Sequence, residues 1–385
     1  MHSAEVMFSL IKSALFQENI DDETMGRINS QMRAELFSLS RAHDLAHMVG
    51  IALSKIGKLE KDEISEKFKK SYRMAVWRYE RLNYDLQKIC ETLEKAEIPF
   101  LPLKGAVIRH YYPDPWMRTS CDLDVLVHES DLEKAVLVLE KELQYQADKK
   151  KNFHDISLYS KSGTHLELHY NMYEDIKAMD SVLDRVWAYA VPTNEEGFQH
   201  KLTNEFQIFH IIAHMAYHFL GGGCGVRPLA DLFLAERNIK VQKKELYTLL
   251  EEAGLTKFYE NIKDLAAVWF GDKQHTKMTR QIEAYILSGG AYGTLENRVT
   301  MQRQKKNGRA AYMLYRIFLP YEKLTQLYPI LKKHRYLTPL MEVDRWCKII
   351  FSKRIKRMMR EMKMHADTNS NTADTAKTLI EELGL

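Results

Sequence analysis

The residues best suited to chemistry in this sequence are two aspartates that alternate with aliphatic residues. Asp122 and Asp124 open the run DLDVLV. In a β-strand this alternation puts both carboxylates on one face and Leu123 and Val125 on the other. A Lys-Gly turn at residues 104–105 comes shortly before them. Because Mg²⁺ prefers carboxylate and phosphate oxygens, the pattern indicates a magnesium and phosphate site.

Two groups of histidines point to a different chemistry. His165, Glu167 and His169 alternate, so on a strand all three would face one way, an arrangement that suits the ligands of a transition metal. Three further histidines step by four residues along one predicted helix: His210, His214 and His218. That helix is otherwise strongly apolar, which favours a packed core helix over a metal site.

The elements that must position these residues follow an α+β pattern. Residues 1–97 show helical periodicity, residues 98–195 alternate short strands and helices, and residues 196–365 return to helices. The central part reads as strand, helix, strand, helix and a hairpin around Ser160–Gly163. Residues 366–385 begin with a small, polar stretch and are predicted to be a flexible tail. We therefore predict a small mixed β-sheet core flanked by N- and C-terminal helical regions.

Composition limits the class of protein. A chain of 385 residues with 45% hydrophobic content can bury a sizeable core. A net charge of +4 suits a small anionic substrate and argues against long nucleic acid as a partner. The four cysteines form no CxxC pair, which favours a reducing compartment. No apolar run approaches membrane-spanning length and the N-terminus has no cleavage-site pattern, so we expect a cytoplasmic protein without a membrane span.

A series of motifs carries a resemblance to a known family. The motifs are Leu101-Pro-Leu-Lys-Gly105, Arg118-Thr-Ser-Cys-Asp122-Leu-Asp124, Leu166-Glu-Leu-His169, His210-Ile-Ile-Ala-His214 and Val226-Arg-Pro-Leu-Ala-Asp231. In this order they resemble the uncharacterised nucleotidyltransferase family of the DNA polymerase β-like nucleotidyltransferase superfamily. The resemblance extends from roughly residue 30 to residue 350. The nucleotidyltransferase core is then the central α/β part of the chain.

The resemblance implies an activity and roles for the residues of the first three motifs. In this superfamily a glycine-containing turn receives a nucleoside triphosphate, and three carboxylates hold two Mg²⁺ ions for in-line transfer of a nucleotidyl group. Asp122 and Asp124 match the first two carboxylates and Glu167 matches the third. The nucleotide-binding residues implied by the same match are Lys104, Gly105, Arg118 and Ser120. Lysine and arginine would neutralise phosphate charge, and the serine would donate to a phosphate oxygen.

The expected reaction transfers a nucleoside monophosphate from an NTP, with ATP as the expected donor, to an acceptor hydroxyl on a small molecule or a protein. One departure from the superfamily is visible, since its usual turn is Gly-Gly or Gly-Ser and this chain has Lys104–Gly105. Which backbone amides touch the phosphates is therefore left open.

Two alternatives stay open at this point. The histidine pattern around Glu167 would suit a metal-dependent hydrolase or phosphodiesterase. Tightly held zinc would favour hydrolysis, whereas a preference for Mg²⁺ or Mn²⁺ would favour nucleotidyl transfer. A catalytically silent nucleotide-binding protein is the other alternative, with the basic stretch Lys353–Arg360 as a partner-binding surface. The presence of all three carboxylates favours the enzyme.

Overall fold

The computed structural model describes residues 2–148, 151–290, 318–350 and 378–385, and all statements below refer to these residues. The basic stretch Lys353–Arg360 and most of the predicted tail over residues 366–385 lie outside them.

The N-terminal part of the chain is helical, in agreement with its periodicity. Its helices are α1 (His2–Phe16), α2 (Asp22–Arg27), α3 (Ser30–Ala42), α4 (Ala46–Lys55) and α5 (Glu63–Lys95). The long helix α5 begins where the Asp62 carboxylate accepts a hydrogen bond from the Ser65 amide at 2.7 Å, which satisfies one of the free amides of the first turn. Its apolar face, which includes Leu86 and Leu93, packs on the sheet.

The predicted small mixed sheet is confirmed. Its strands are β1 (Phe100–Pro102), β2 (Asp122–Val127), β3 (Gln146–Ala147), β4 (Asp155–Tyr159) and β5 (His165–His169), in the order β1-β2-β5-β4-β3. Strands β2 and β5 are parallel, and the other neighbouring pairs are antiparallel. The predicted hairpin is the β4–β5 pair, in which the Gly163 amide donates to the Ser160 carbonyl at 3.0 Å. Two helices interrupt the strands: α6 (Gly105–Ile108) and α7 (Leu132–Leu143).

The remainder is largely helical, as expected from the sequence, with one two-stranded sheet that the sequence did not indicate. The helices are α8 (Lys177–Leu183), α9 (Asn204–Leu220), α10 (Arg227–Asn238), α11 (Lys243–Glu252), α12 (Thr256–Phe270), α13 (Lys277–Gly289), α14 (Tyr321–Leu327) and α15 (Thr338–Ile350). The small sheet pairs β6 (Ala190–Pro192) with β7 (His200–Leu202). Within the described ranges, no helix is both long enough and apolar enough to cross a membrane.

The last described residues, 378–385, belong to the predicted tail but are partly helical. Leu379, Ile380 and Leu383 lie in the large hydrophobic cluster of the helical body. Three apolar side chains within five residues place an apolar stripe on one side of a helical turn, and burying that stripe offsets the entropy lost on ordering it. This end of the chain therefore packs on the helical body.

Two hydrophobic clusters meet at the sheet and leave one of its faces for the site. The smaller cluster packs α5 and α7 against one sheet face and contains Leu123, Val125, Leu166 and Leu168. The larger cluster fills the helical body around α1, α4, α9, α10 and α12. Because side chains alternate along a strand, the residues between these leucines and valines face the other way, toward α9 and α10.

Candidate active site

A cleft separates the polar face of β2 and β5 from helices α9 and α10. Its cavity volume is about 330 Å³, which lies within the usual range for small-ligand pockets. The cleft is lined by six of the seven residues that the sequence motifs single out: Lys104, Arg118, Ser120, Asp122, Asp124 and Glu167. The seventh, Gly105, is buried in the turn next to Lys104.

The three carboxylates lie side by side because two strands run parallel in register. Asp124 pairs with Glu167 across β2 and β5, and Asp122 pairs with His165. Leu123 and Leu166 point to the opposite, apolar face. The structure therefore confirms the predicted alternation, and it adds the neighbouring strand that brings Glu167 beside the aspartates.

Within the part of the chain that the structure describes, two groups of side chains could each hold a metal ion, and they share one carboxylate. The first group is Asp122, His165 and Glu167, and the second is Asp124, Glu167 and His169; in each group the ligand atoms lie within 4.8 Å of one another. Carboxylates suit Mg²⁺ and Mn²⁺, and a histidine in each group also permits a transition metal. The donor atoms thus fit one or two divalent cations.

The charge balance at Asp122 also fits a cation. Burial raises the pKa of Asp122, and the neighbouring carboxylates of Asp124 and Glu167 raise it further. Like charges this close disfavour simultaneous ionisation, so a bound cation would relieve the repulsion.

The pKa of Asp124 is shifted in the opposite direction from that of Asp122. Burial alone would raise its pKa, but the Lys104 ammonium and His169 outweigh that effect and hold the pKa well below its ordinary value. The Lys104 Nζ lies 2.9 Å from Asp124 Oδ1, and the His169 Nε2 lies 3.1 Å from the same oxygen. His169 Nε2 also lies 3.6 Å from the Glu167 carboxylate. Asp124 is therefore a fixed anion already paired with the chain's own cationic and donor groups.

Lys104 has an unusual backbone conformation. Its φ and ψ are 45° and −116°, and the Ala106 amide donates to the Leu103 carbonyl at 3.0 Å. These are the features of a type II′ turn with Lys104 at its first central position, where glycine dominates because side chains strain the backbone there. The Lys-Gly departure from the superfamily turn thus places a lysine in a glycine conformation, with its ammonium on Asp124.

Gly105 leaves room for a guanidinium. A Cβ added at Gly105 would lie 2.6 Å from Arg118 Nη1, which is closer than real contacts allow. The Arg118 guanidinium is itself held by Asp231, with Nη2 at 2.9 Å from Oδ2. Its charge is thus already paired, and its role toward phosphate stays a prediction. Ser120 Oγ accepts from Arg109 Nη2 at 3.1 Å, which leaves the serine O–H free to donate elsewhere.

Arg109 is a residue that the sequence motifs did not indicate. Its Nε donates to the Gly105 carbonyl at 2.6 Å, so the side chain ties the turn to Ser120. Burial, together with the nearby Arg118, lowers the pKa of Arg109 to about 10. A usable signal was its place four residues after Gly105, because such residues share one face of a helical segment.

The wall opposite the carboxylates was also not predicted as part of the site. His214 Nδ1 lies 2.7 Å from Glu174 Oε1, and His218 Nε2 lies 3.0 Å from His214 Nε2. Helix α9 is a core helix, as its apolar residues indicated, yet its histidines line the cleft. Glu174 follows β5 in a loop and belongs to no motif, so nothing in the sequence indicated it. The signals on this wall were the motif that contains His214 and the spacing of His214 and His218.

The hypothesis that His165, Glu167 and His169 jointly bind one ion does not fit this arrangement. In the part of the chain that the structure describes, the two histidines fall into different potential metal groups, each with its own aspartate. Residues four apart on a strand lie about 13 Å apart along it, which is too far for one ion.

Comparison with known proteins adds a family match. A family model described as "Uncharacterised nucleotidyltransferase" matches residues 30–271. This interval contains every candidate residue of the cleft, on both of its walls. Neither a curated protein nor a solved structure matches the chain.

Proposed function

The chain belongs to the uncharacterised nucleotidyltransferase family, and from this premise we propose that it transfers a nucleoside monophosphate from an NTP to an acceptor hydroxyl with the help of a divalent metal. The observation that carries the proposal is the register of β2 and β5, which aligns Asp122, Asp124 and Glu167 on one face of a cleft. ATP is the proposed donor and Mg²⁺ the proposed ion.

The proposed metal ligands are Asp122, Asp124 and Glu167. One or two ions held there would neutralise phosphate charge and stabilise the attacking and leaving oxygens of an in-line displacement. Lys104 supplies a permanent positive charge next to Asp124, which favours a triphosphate in the same part of the cleft. The helix that follows the turn, α6, has only four residues, so its dipole contributes little to phosphate binding.

The cleft favours a small acceptor group. A cavity of about 330 Å³ accommodates part of a nucleotide and one reacting group. A small molecule, or a single protein side chain reaching into the cleft, fits this space better than a folded nucleic acid does. The net charge of +4 agrees with this choice.

The test is a transfer assay with an unspecified acceptor. Purified protein would be incubated with α-labelled ATP, Mg²⁺ or Mn²⁺, and separate pools of small metabolites and of proteins, and products would be identified by mass spectrometry. We expect a product with an added nucleoside monophosphate, formed with pyrophosphate and only with metal. The matched control is Asp122→Asn, which should give none. Failure to bind ATP in the presence of metal would contradict the proposal and favour a partner-binding protein.

A metal-dependent hydrolase is the second candidate. The observation in its favour is that His165 and His169 each complete a potential metal group, since imidazole suits zinc better than Mg²⁺. Elemental analysis of the purified protein separates the two. Stoichiometric zinc that is lost in His165→Ala or His169→Ala would support hydrolysis, whereas Mg²⁺- or Mn²⁺-dependent transfer by a zinc-free protein would support nucleotidyl transfer.

A further inference from the structure

The wall of the cleft opposite the carboxylates contains a series of three hydrogen-bonding groups. Glu174 Oε1 contacts His214 Nδ1 at 2.7 Å, and the other ring nitrogen of His214 contacts His218 Nε2 at 3.0 Å. All three residues line the cleft that also contains Asp122, Asp124 and Glu167. The Nδ1 atom of His218 makes no hydrogen bond to the described part of the chain, and it is not enclosed.

The proton positions in this series depend on one another. A hydrogen bond between two Nε2 atoms requires a proton on one of them and a lone pair on the other. When Glu174 is ionised, it accepts from His214 Nδ1–H, so His214 Nε2 must accept from His218 Nε2–H. His218 Nδ1 is then a bare lone pair. When Glu174 is protonated, it donates to His214 Nδ1, and every proton in the series moves one position.

We propose that Glu174, His214 and His218 form a proton relay that removes the proton from the acceptor hydroxyl. The inference rests on the proposed nucleotidyl transfer. As the acceptor oxygen bonds to the α-phosphorus of the NTP, the bond to the leaving pyrophosphate breaks. The O–H bond of the acceptor breaks in the same step, and its proton goes to His218 Nδ1. The His218 Nε2 proton moves to His214 Nε2, and the His214 Nδ1 proton moves to Glu174. The carboxylate becomes a carboxylic acid, and neither histidine ends as a cation.

The electrostatics of this wall agree with a relay that runs through neutral rings. Burial raises the pKa of Glu174 to about 7. Burial and the neighbouring His214 together lower the pKa of His218 to about 3, and burial holds the pKa of His214 well below its ordinary value. The carboxyl group is thus the most basic site of the series. A proton-accepting group with a pKa near the working pH is the one that acid–base catalysis favours.

The charged and titratable groups around the series come from several elements. Those that influence Glu174 are Lys104, His218, His154 and His169. The groups that influence the pKa values of the His214 and His218 rings are Lys104, Asp124, His169, Arg118, Glu174 and Arg227, and His214 also acts on His218. Most are cations or histidines, which oppose a positive charge on His214 or His218. The surroundings therefore favour moving a proton through the rings over storing it on them.

The relay also assigns a place to the acceptor. If Asp122, Asp124 and Glu167 face the nucleotide phosphates, the group that approaches from α9 is the acceptor. Its hydroxyl would hydrogen-bond His218 Nδ1. The proton leaves from the side of the acceptor that faces away from the metal carboxylates, so Glu167 can serve as a metal ligand without also acting as the base.

The first test observes the proton positions directly. Full-length protein labelled with ¹⁵N in its histidines would be studied by NMR between about pH 5.5 and about pH 8.5, a range that brackets an ordinary histidine pKa. We expect the proton-bearing nitrogens of His214 and His218 to exchange with a common midpoint near the pKa of Glu174, without an imidazolium signal from either ring. The exchange should vanish in Glu174→Gln. An imidazolium on either ring, or fixed tautomers throughout, would overturn the relay.

The second test measures transfer with α-labelled ATP, Mn²⁺ and glycerol as a probe hydroxyl. We expect Glu174→Gln and His218→Ala to lower kcat by roughly 100-fold or more, within the range for loss of a general base, with ATP affinity changed less than about twofold. Added imidazole should restore part of the activity of His218→Ala. The matched control is His210→Ala. His210 lies two helical turns before His218 on α9 and outside the series, so added imidazole should not change the activity of this variant.

The outcomes separate the relay from the proposed function. Wild-type-like kcat in Glu174→Gln would overturn the relay and leave nucleotidyl transfer standing. A wild-type protein that forms no labelled product with any acceptor would count against the proposed function, while the ring-nitrogen signals would still decide whether the three groups exchange protons together.

Discussion

The two walls of the cleft shift the pKa of a buried carboxyl group in opposite directions. On the sheet wall, Asp124 is paired with Lys104 at 2.9 Å, and its pKa is held well below the ordinary value even though burial opposes this. On the helix wall, Glu174 contacts the neutral ring of His214 at 2.7 Å, and burial raises its pKa to about 7. The same functional group is thus a permanent anion on one wall and a proton acceptor on the other.

The difference follows from the partners and not from the depth of burial. Both residues are at least nine-tenths buried, at 6% and 9% exposure. A fixed ammonium compensates the charge of Asp124, whereas a neutral imidazole can only hydrogen-bond Glu174. A wall that keeps its charge suits metal and phosphate binding, and a wall that gains and loses a proton suits acid–base chemistry.

The substitution with the largest expected effect on this comparison is Asp124→Asn. It removes the partner of Lys104 and a proposed metal ligand, so transfer should fall by roughly 1,000-fold or more, and the free energy of unfolding should fall by about 3 kcal/mol because a largely buried cation is left unpaired. Denaturant unfolding without metal and the α-labelled ATP assay measure the two effects.

The control for this change is its neighbour on the same strand. Asp122→Asn should also abolish transfer, but it relieves the repulsion from Asp124 and Glu167 that raises the Asp122 pKa. It should therefore unfold at a higher denaturant concentration than the wild type in the absence of metal. Equal destabilisation by both substitutions would show that the two aspartates do not differ in the way described.

Much of the sheet wall could be predicted from the sequence because strand alternation is a local property. Asp122 and Asp124 share a face whatever the rest of the fold does, and the motif resemblance added Glu167. The parallel register that places Glu167 beside Asp124 depends on a pairing between residues about forty apart, which no local pattern specifies.

The helix wall could not be predicted in the same way. The histidine spacing on α9 was visible, but it fits a core helix as well as a cleft, and α9 is both. Glu174 comes from a loop after β5 and meets His214 forty residues later. Arg118 shows the same limit, since its partner Asp231 is 113 residues away. Contacts of this kind are tertiary, and no local pattern in the sequence identifies the partner of each residue.

The second test concerns the third carboxylate of the sheet wall. Glu167 belongs to both potential metal groups, so Glu167→Gln should reduce turnover by roughly 100-fold or more, while Lys104 and the aspartates still hold the nucleotide. His165→Ala and His169→Ala each affect one group and should be milder. Titration with ATP separates binding from turnover, and loss of ATP binding in Glu167→Gln would contradict this division.

The third test uses the stability of the helix wall as a function of pH. The pKa of Glu174 is about 7 in the folded protein against an ordinary value of 4.5, so the folded state binds the proton more tightly than the unfolded state. This contribution to stability is fully present below about pH 4.5 and is lost as the pH rises through about 7. The loss amounts to roughly 3 kcal/mol.

Glu174→Gln removes that dependence. The variant should be more stable than the wild type at about pH 8.5 and similar at about pH 5, as measured by denaturant unfolding at both values. Asp124→Asn should not show this pattern, because the folded-state pKa of Asp124 is shifted in the opposite direction. A pH-independent difference between Glu174→Gln and the wild type would mean that the helix wall does not hold its proton near neutral pH.

The test with the smallest expected effect concerns the backbone strain of the turn that places Lys104 beside the sheet wall. Lys104→Gly and Lys104→Ala both remove the ion pair with Asp124, but only alanine keeps a side chain at φ 45° and ψ −116°. Glycine ordinarily destabilises a chain relative to alanine, whereas here it should be the more stable variant by about 1 kcal/mol because it relieves the strained turn. Unfolding of the two variants side by side cancels the lost charge and leaves the backbone effect. Alanine proving the more stable variant would show that the turn is unstrained, so that the ammonium reaches Asp124 at no backbone cost.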